Sequence, residues 1–151
     1  MRVRTLSLFL FIGSFWMLNL AQATETALDR YVARPDSHYS FSEYRSQREF
    51  GYNAYFLKMT SQQWRSAAEV DRPIWEHEVL IVMPQFGLDS SDTAVLLIDG
   101  GDNDGTLLDE VDSAVGAAAV ATGAVLAVVR QIPNQPLYFA DEPGRARKED
   151  A

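Results

Sequence analysis

The chain has 151 residues, of which 47% are apolar, and its 13 basic against 21 acidic residues give a formal net charge of -8. An acidic surface repels phosphate backbones and anionic lipid, so nucleic acid and membrane surfaces are not expected partners. Because the chain has no cysteine, disulfides, a lipoprotein anchor, thiol catalysis and cysteine-ligated zinc are excluded together.

The first 23 residues have the pattern of a secretory signal peptide. Arg2 and Arg4 precede an apolar run over residues 6–20, and Ala21-Gln22-Ala23 provides an A-x-A cleavage site. The apolar run is shorter than the ~20 residues that span a bilayer and no cationic stop follows it, so no stable membrane anchor is expected after cleavage. Residues 24–151, with 11 basic against 21 acidic residues, are expected to be secreted or periplasmic.

The elements before residue 90 are predicted from their apolar periodicity. Residues 24–40 are polar and predict a lead-in with one short helix. Over residues 50–59 the side chains at even and at odd positions form two sets, and both sets contain apolar members. This pattern predicts a strand with both faces partly covered, followed by a polar connection over 60–64. The segment WEHEVLIVM at 75–83 changes from alternation to an aliphatic run, which predicts a strand that enters the centre of a sheet.

Residues 94–129 predict a βαβ unit. The aliphatic run 94–98 is typical of a strand that helices cover on both faces. A helix is predicted over 106–122, because Thr106 begins a pattern that resembles a capping box. Residues 124–129 then return as a strand, and the two strands of such a unit are parallel.

The loop between that first strand and the helix, DGGDNDG at 99–105, is the candidate functional site. Open α/β sheets place ligands at such carboxyl ends of strands. Backbone N–H groups of Gly100, Gly101 and Asp102 are expected to point into a cleft, as in the loop that supplies part of the oxyanion hole in α/β-hydrolases. The alternative is an ordinary βα turn before a well-capped helix. The proline-containing loop 131–137 is expected at the same edge of the sheet.

No metal or cofactor is predicted for this loop. Its acidic residues superficially suggest a calcium site, but aligning Gly105 with the turn glycine of such a site puts Gly100 and Val111 at ligand positions. The glycines at 100, 101 and 105 also do not form the G-x-G-x-x-G of dinucleotide-binding loops.

Both histidines are interpreted as structural. His77 shares a strand face with Trp75, HEVL lacks the second histidine of a zinc helix, and His38 lies in the lead-in. A triad histidine in α/β-hydrolases follows the nucleophile, and no G-x-S-x-G occurs in the chain. Ser90-Ser91 lies before a strand, which is the wrong place for a nucleophile, so no catalytic triad is predicted.

Several long phrases resemble the PhoPQ-activated pathogenicity-related protein family. They are TSQQW at 60–64, EVDRPIWEH at 69–77, LIDGG at 97–101, ATG at 121–123 and RQIPNQPL at 130–137. The Asp-Arg-Pro-x-Trp and Gln-x-Pro-Asn-Gln-Pro phrases are spaced as in that family, and the resemblance covers nearly all of residues 26–151. Its members are exported, several times longer, and look like α/β-hydrolases with a candidate serine in a later Gly-x-Ser turn.

The resemblance implies the α/β fold class: a partial α/β-hydrolase-like fold made of the N-terminal strands and first helix of a mostly parallel sheet. By this resemblance, residues 24–151 would end before the nucleophile region, and they would lack the nucleophile, the acid and the catalytic histidine. The missing C-terminal part of the same fold would then be their partner. Gly100, Gly101 and Asp102 would form the candidate oxyanion loop, although Asp102 and Asp104 make it more acidic than expected for the family.

The alternative function is a non-catalytic exported protein of envelope defence, virulence or signalling. In that case the glycine loop binds a partner or only turns the chain. Whether a ligand is a small molecule or a peptide is left open by the sequence.

Overall fold

The computed structural model describes residues 24–87, 92–103 and 105–148. The predicted signal peptide over residues 1–23 lies outside them. Residues up to Pro35 and residues from Asp36 onward form two separate compact units. In the first, helix α1 (Ala27–Val32) confirms the short helix predicted for the lead-in. A capping box begins it, in which the side chains of Thr26 and Asp29 each accept from the other's backbone N–H.

The second unit contains a five-stranded sheet with the strand order β1-β2-β3-β5-β4. Its strands are β1 (Ser40–Glu49), β2 (Tyr52–Gln63), β3 (Ile74–Pro84), β4 (Ala94–Ile98) and β5 (Val125–Val129), with helix α2 (Ser113–Thr122) between the last two. A second, small sheet pairs β6 (Leu137–Tyr138) with β7 (Ala146–Arg147). The central place of β3 and the parallel pairing of β4 with β5 confirm two predictions.

The large sheet is mixed, which corrects the predicted mostly parallel arrangement. β1 with β2, β2 with β3 and β3 with β5 are antiparallel, and among the described residues only β4 with β5 is parallel. The turn Phe50-Gly51 joins β1 to β2 across the pair Glu49 and Tyr52, and a turn of two residues can join only antiparallel strands. Gly51 has a φ of 92°, which favours glycine in this turn.

Strand β2 continues through residues 60–63, which were predicted to form a polar connection. Thr60 pairs with Glu76 and Gln62 pairs with Trp75 on β3. Ser61 between them has no Cα partner, so it is the extra residue of a β-bulge. The bulge lets the strand continue without regular alternation.

Helix α2 begins at Ser113, which corrects the predicted start at Thr106. The Asp112 side chain caps it by accepting from the N–H of Ala114 at 2.7 Å. The segment before Ser113 is fixed to the sheet instead, since the N–H of Leu108 donates to the carboxylate of Glu78 on β3.

The main core lies between α2 and one face of the sheet. Its buried members are Ala54, Phe56, Leu80, Val82, Ala119 and Leu126. The small residues of α2 allow a close approach: a Cβ added at Gly116 would come within 2.8 Å of Tyr52 Cε1. The helix therefore positions the strands that carry the loops described below.

Strand β4 is an exposed edge strand, which corrects the expectation that helices cover both its faces. Val95 is 40% exposed and Ile98 is 67% exposed. Helix α2 packs against β2, β3 and β5, so it lies beyond the reach of most of β4. Among the described residues, no helix is long and apolar enough to cross a membrane.

Candidate functional site

The carboxyl ends of the parallel strands β4 and β5 carry two loops that lie side by side, as predicted. The turn 99–103 follows β4 and the loop 130–136 follows β5. Three backbone hydrogen bonds join them: Ile132 N–H to the Asp99 carbonyl at 3.2 Å, Gln131 N–H to the Gly100 carbonyl at 3.0 Å, and Asn103 N–H to the Gln135 carbonyl at 2.6 Å. The two loops therefore form one connected edge.

Gly100, Gly101 and Asp102 all lie in this turn. The N–H of Gly100 donates to Asp99 Oδ1 at 2.9 Å, so this donor is already used within the turn. Within the described ranges, the N–H groups of Gly101 and Asp102 have no hydrogen-bond partner. Gly101 has a φ of 128°, a conformation that other residues rarely adopt. The turn keeps two backbone donors, and their role in binding an oxyanion stays a prediction.

The side chain of Asp102 makes the turn acidic. Its Oδ2 lies 3.0 Å from Lys148 Nζ, and both side chains are 49% exposed. An ion pair this exposed is weak, so the aspartate charge is only partly compensated. This carboxylate therefore repels a negative charge that lies next to the turn.

A cavity opens beside the two loops. Its volume of about 450 Å³ is within the range of ligand pockets. Its wall is formed by Asn103, Gly105 and Leu107 before α2, Gln131 and Asn134 after β5, residues Asp71 to Ile74, and Lys58, Glu76, His77 and Glu78 from the strands. The Asp-Arg-Pro and Gln-x-Pro-Asn phrases noted in the sequence therefore meet at one cavity.

Gln131 connects the cavity wall to the central strand. Its φ of 62° is uncommon for a residue other than glycine and marks local strain. Its side-chain Oε1 accepts from the N–H of Glu78 at 3.0 Å, and its Nε2 donates to the Asp102 carbonyl at 3.5 Å. The strained residue thus links β3 to the glycine turn.

Glu78 on β3 is a charged residue that is only 1% exposed. Its Oε2 accepts from Arg130 Nη1 at 2.8 Å, and its Oε1 accepts from the Tyr44 hydroxyl and the Leu108 N–H. Burial, followed by the hydrogen bond to Glu78, raises the pKa of Tyr44 well above its ordinary 10.0, so the phenol stays protonated. The Arg130 guanidinium also lies 3.8 Å from Asp99 Oδ2, which connects this network to the turn.

The sequence interpretation missed this network. A glutamate followed directly by an aliphatic run, together with an arginine at the end of the strand at 125–129, was the available signal. Charged residues are almost never buried without a partner, so the position of Glu78 required a cation from another strand.

His77 lies on the opposite face of β3 and is 5% exposed. Its Nδ1 lies 3.2 Å from the carbonyl oxygens of both Arg130 and Gln131. Because a carbonyl only accepts, Nδ1 carries the proton and Nε2 is free to accept from Ser61 Oγ at 2.9 Å. Burial lowers the pKa of His77 below its ordinary 6.5 against the opposing effect of the two carbonyls, so the ring is neutral near pH 7.

Among the residues with described positions, no group of three or more His, Cys, Asp or Glu side chains is arranged to hold a metal ion. Asp99 lies near the Arg130 guanidinium and Asp102 near Lys148 Nζ.

Comparison with known proteins identifies the family. The family model for the PhoPQ-activated pathogenicity-related protein matches residues 28–151. The chain belongs to this family. It is 33% identical over 132 residues to autocrine proliferation repressor protein A of Dictyostelium discoideum, a match that covers 87% of this chain and 26% of that relative. The chain thus spans about a quarter of the length of the curated relative it matches. No solved structure matches it.

An aromatic cluster lies at the start of β3 and contains Trp64 and Trp75, one from each of two family phrases. Trp64 and Trp75 lie with ring centroids 5.4 Å apart, and Phe139 packs edge-on against Trp64 at 6.1 Å. The Arg65 guanidinium lies 4.8 Å from the centroid of Trp64. These contacts hold the start of β3, and with it His77, against the segment that follows β6.

Proposed function

We propose that this family member is an exported, α/β-hydrolase-like protein whose cavity at the carboxyl edge of β4 and β5 binds an ester or amide. The observation that carries the proposal is the pair of N–H groups of Gly101 and Asp102, which have no hydrogen-bond partner among the described residues. They belong to the turn whose next residue, Asn103, lines a cavity of about 450 Å³. In acyl transfer, preorganised backbone donors stabilise the charge that develops on a carbonyl oxygen.

In this proposal the chain holds the substrate and does not complete its hydrolysis. An enzyme of this type also needs a serine on a strand-to-helix turn, an acid and a histidine, and the chain contains no G-x-S-x-G. We propose that these groups come from outside the 151 residues. The support is the length of the curated relative, of which the match covers 26%.

Two alanine variants test the role of the turn. Gly101→Ala places a side chain on a residue with a φ of 128°, whereas Gly144→Ala does so at a φ of 80° with no atom within 4 Å of the new Cβ. The probe is phenyl methylphosphonate, whose tetrahedral anion resembles the intermediate of ester hydrolysis, and calorimetry on the full chain measures its binding. We expect Gly101→Ala to weaken binding by about tenfold or more and Gly144→Ala to leave it unchanged. Absent binding, or equal effects of the two variants, would contradict the proposal.

Export is tested by expressing the chain with its own leader in a bacterial host. The support is the pattern of Arg2, Arg4, the apolar run and the Ala21-Gln22-Ala23 site. We expect a periplasmic product whose first residue is Thr24, and we expect Ala23→Arg to leave uncleaved precursor. An uncleaved wild-type product in the cytoplasm would rule the export proposal out.

The second proposal is a non-catalytic exported protein of envelope defence, virulence or signalling. Its support is the carboxylates of Asp99 and Asp102 at the turn, which oppose an anion. The curated relative is named as a repressor of proliferation, which is a regulatory description of that protein. Confirmed export without phosphonate binding is the result that favours this second proposal.

A further inference from the structure

We propose that Ser61 and His77 form a nucleophile and base pair that accepts an acyl group from an activated aryl ester. His77 lines the cavity beside the glycine turn and Ser61 does not, so the proposed pair shares one residue with the proposed substrate cavity but does not use the N–H groups of the turn. It concerns a single acylation of this chain rather than turnover.

The bulge in β2 is what brings the two side chains together. Thr60 and Gln62 keep their partners on β3, and the extra residue between them is Ser61. Bulges re-aim a side chain and occur frequently next to active sites. Here the bulge sets Ser61 Oγ at 2.9 Å from His77 Nε2, a distance suited to proton transfer, while Ser61 itself stays partly exposed.

The surroundings of His77 fix the ring in the form that a base requires. The carbonyl oxygens of Arg130 and Gln131 hold the proton on Nδ1, which leaves the lone pair of Nε2 directed at Ser61. The same two carbonyls stabilise the imidazolium that forms once Nε2 takes a second proton. Burial, which lowers the pKa of His77, keeps the ring neutral and available near pH 7.

The reaction is a transfer of one acyl group. As Ser61 Oγ forms a bond to the ester carbonyl carbon, its proton moves to His77 Nε2. The tetrahedral intermediate then expels the aryl oxide, which leaves with the electron pair of the broken carbon–oxygen bond and takes up the proton from His77. The products are a serine ester and a phenol, so no further reactant is needed.

An aryl ester fits this site for two reasons. The ring of Trp75 lies edge-on to His77 with centroids 6.4 Å apart, and Trp64 lies next to Trp75, so an aromatic leaving group has rings to pack against. Two carbonyls orient His77 where a hydrolase triad uses a carboxylate, so a leaving group that departs easily is required.

The first test treats the full chain with p-nitrophenyl acetate and follows p-nitrophenolate release and peptide mass. We expect one acetyl group on the peptide that contains Ser61. Ser61→Ala and His77→Gln remove it, whereas Ser42→Ala, at a serine on exposed β1, leaves it in place. Acetylation that avoids Ser61, or that is equal in the His77→Gln chain, overturns the proposal. Acetylation of Ser61 without phosphonate binding would support this pair while contradicting the proposed substrate cavity.

The second test covers the case in which an alanine variant fails to fold. Because the chain has no cysteine, Ser61→Cys creates a unique thiol, and Ser42→Cys provides the matched control. We expect iodoacetamide to alkylate the Ser61→Cys thiol about tenfold faster than the control near pH 7, since His77 assists its ionisation. Adding His77→Gln should remove the difference. Equal rates in the two single variants overturn the proposal.

Discussion

Glu78 and Arg130 form an ion pair of 2.8 Å in which the carboxylate side chain is 1% exposed and the guanidinium side chain is 27% exposed. The pair joins the central strand β3 to the loop that follows β5, and Tyr44 and Leu108 satisfy the remaining carboxylate oxygen. A buried carboxylate is retained only when such partners are present. The position of the loop beside the glycine turn therefore depends on this pair.

Arg130→Met should lower the free energy of unfolding by about 3–5 kcal/mol, because it leaves the carboxylate of Glu78 buried without a cation. Arg147→Met is the matched control: it breaks the pair between Arg147 and Glu142, whose side chains are 37% and 33% exposed, and should cost about 1 kcal/mol or less. Urea unfolding of both variants measures the difference. Losses of similar size would contradict the structural role of the buried pair.

Tyr44→Phe removes a donor to the same carboxylate. The expected loss is about 1–3 kcal/mol, the cost of a buried acceptor that lacks one partner. Tyr39→Phe changes the same chemical group on a residue that is 57% exposed and should alter stability by less than about 0.5 kcal/mol. If the two variants unfold at the same urea concentration, the Tyr44 hydroxyl is not part of the network.

Gly116→Ala in helix α2 should destabilise the chain even though alanine is the better helix former. The added methyl group would meet two ring atoms and the hydroxyl oxygen of Tyr52 at 2.8–3.0 Å. Overpacking of this kind costs about 1–3 kcal/mol, more than the ~1 kcal/mol gained in helix propensity. Thermal unfolding shows whether the variant is less or more stable than the wild type. A rise in melting temperature would show that the helix does not lie this close to β2.

Stability should fall as the pH is lowered through the titration of His77. Burial lowers the pKa of this side chain in the folded state below the 6.5 of the unfolded chain. Between these two pKa values the unfolded state binds more protons, so unfolding becomes easier with each step down in pH. Melting temperatures between about pH 7.5 and 5 should therefore drop less for His77→Gln than for the wild type.

His38→Gln is the control for that comparison, because it removes the other histidine at a side chain that is 44% exposed. Its melting temperature should follow the wild-type curve over the same range. A wild-type curve that stays flat from neutral to mildly acidic pH would show that His77 is not held neutral by burial.

Much of the sheet was predictable from apolar runs, because an aliphatic run of five or more residues between turn residues is typical of a strand. The bounds of β4 agree with the prediction, β5 differs by one residue, and β3 lies at the centre. Strand β1 was not predicted, since its sequence SFSEYRSQRE is mostly polar and its side chains are largely exposed at the sheet edge. The antiparallel pairing of β1 with β2, one of the three antiparallel pairs that make the sheet mixed, was therefore not predicted either.

The remaining differences come from long-range contacts that local patterns do not contain. Thr106 has the local signal of a helix start, but the carboxylate of Glu78 binds Leu108 N–H across 30 positions, and α2 begins at Ser113. The same reason explains why the contact between Ser61 and His77 was not predicted: a bulge shifts side chains between faces and breaks the alternation from which faces are assigned.

The central claim is that the N–H groups of Gly101 and Asp102 face an acyl substrate in the cavity. A titration of the full, isotope-labelled chain with phenyl methylphosphonate, followed by backbone amide NMR, tests it most directly. We expect saturable downfield shifts of the Gly101 and Asp102 amide protons, while the amide of Gly144 stays in place. Unchanged resonances at Gly101 and Asp102 at saturating probe would contradict the claim.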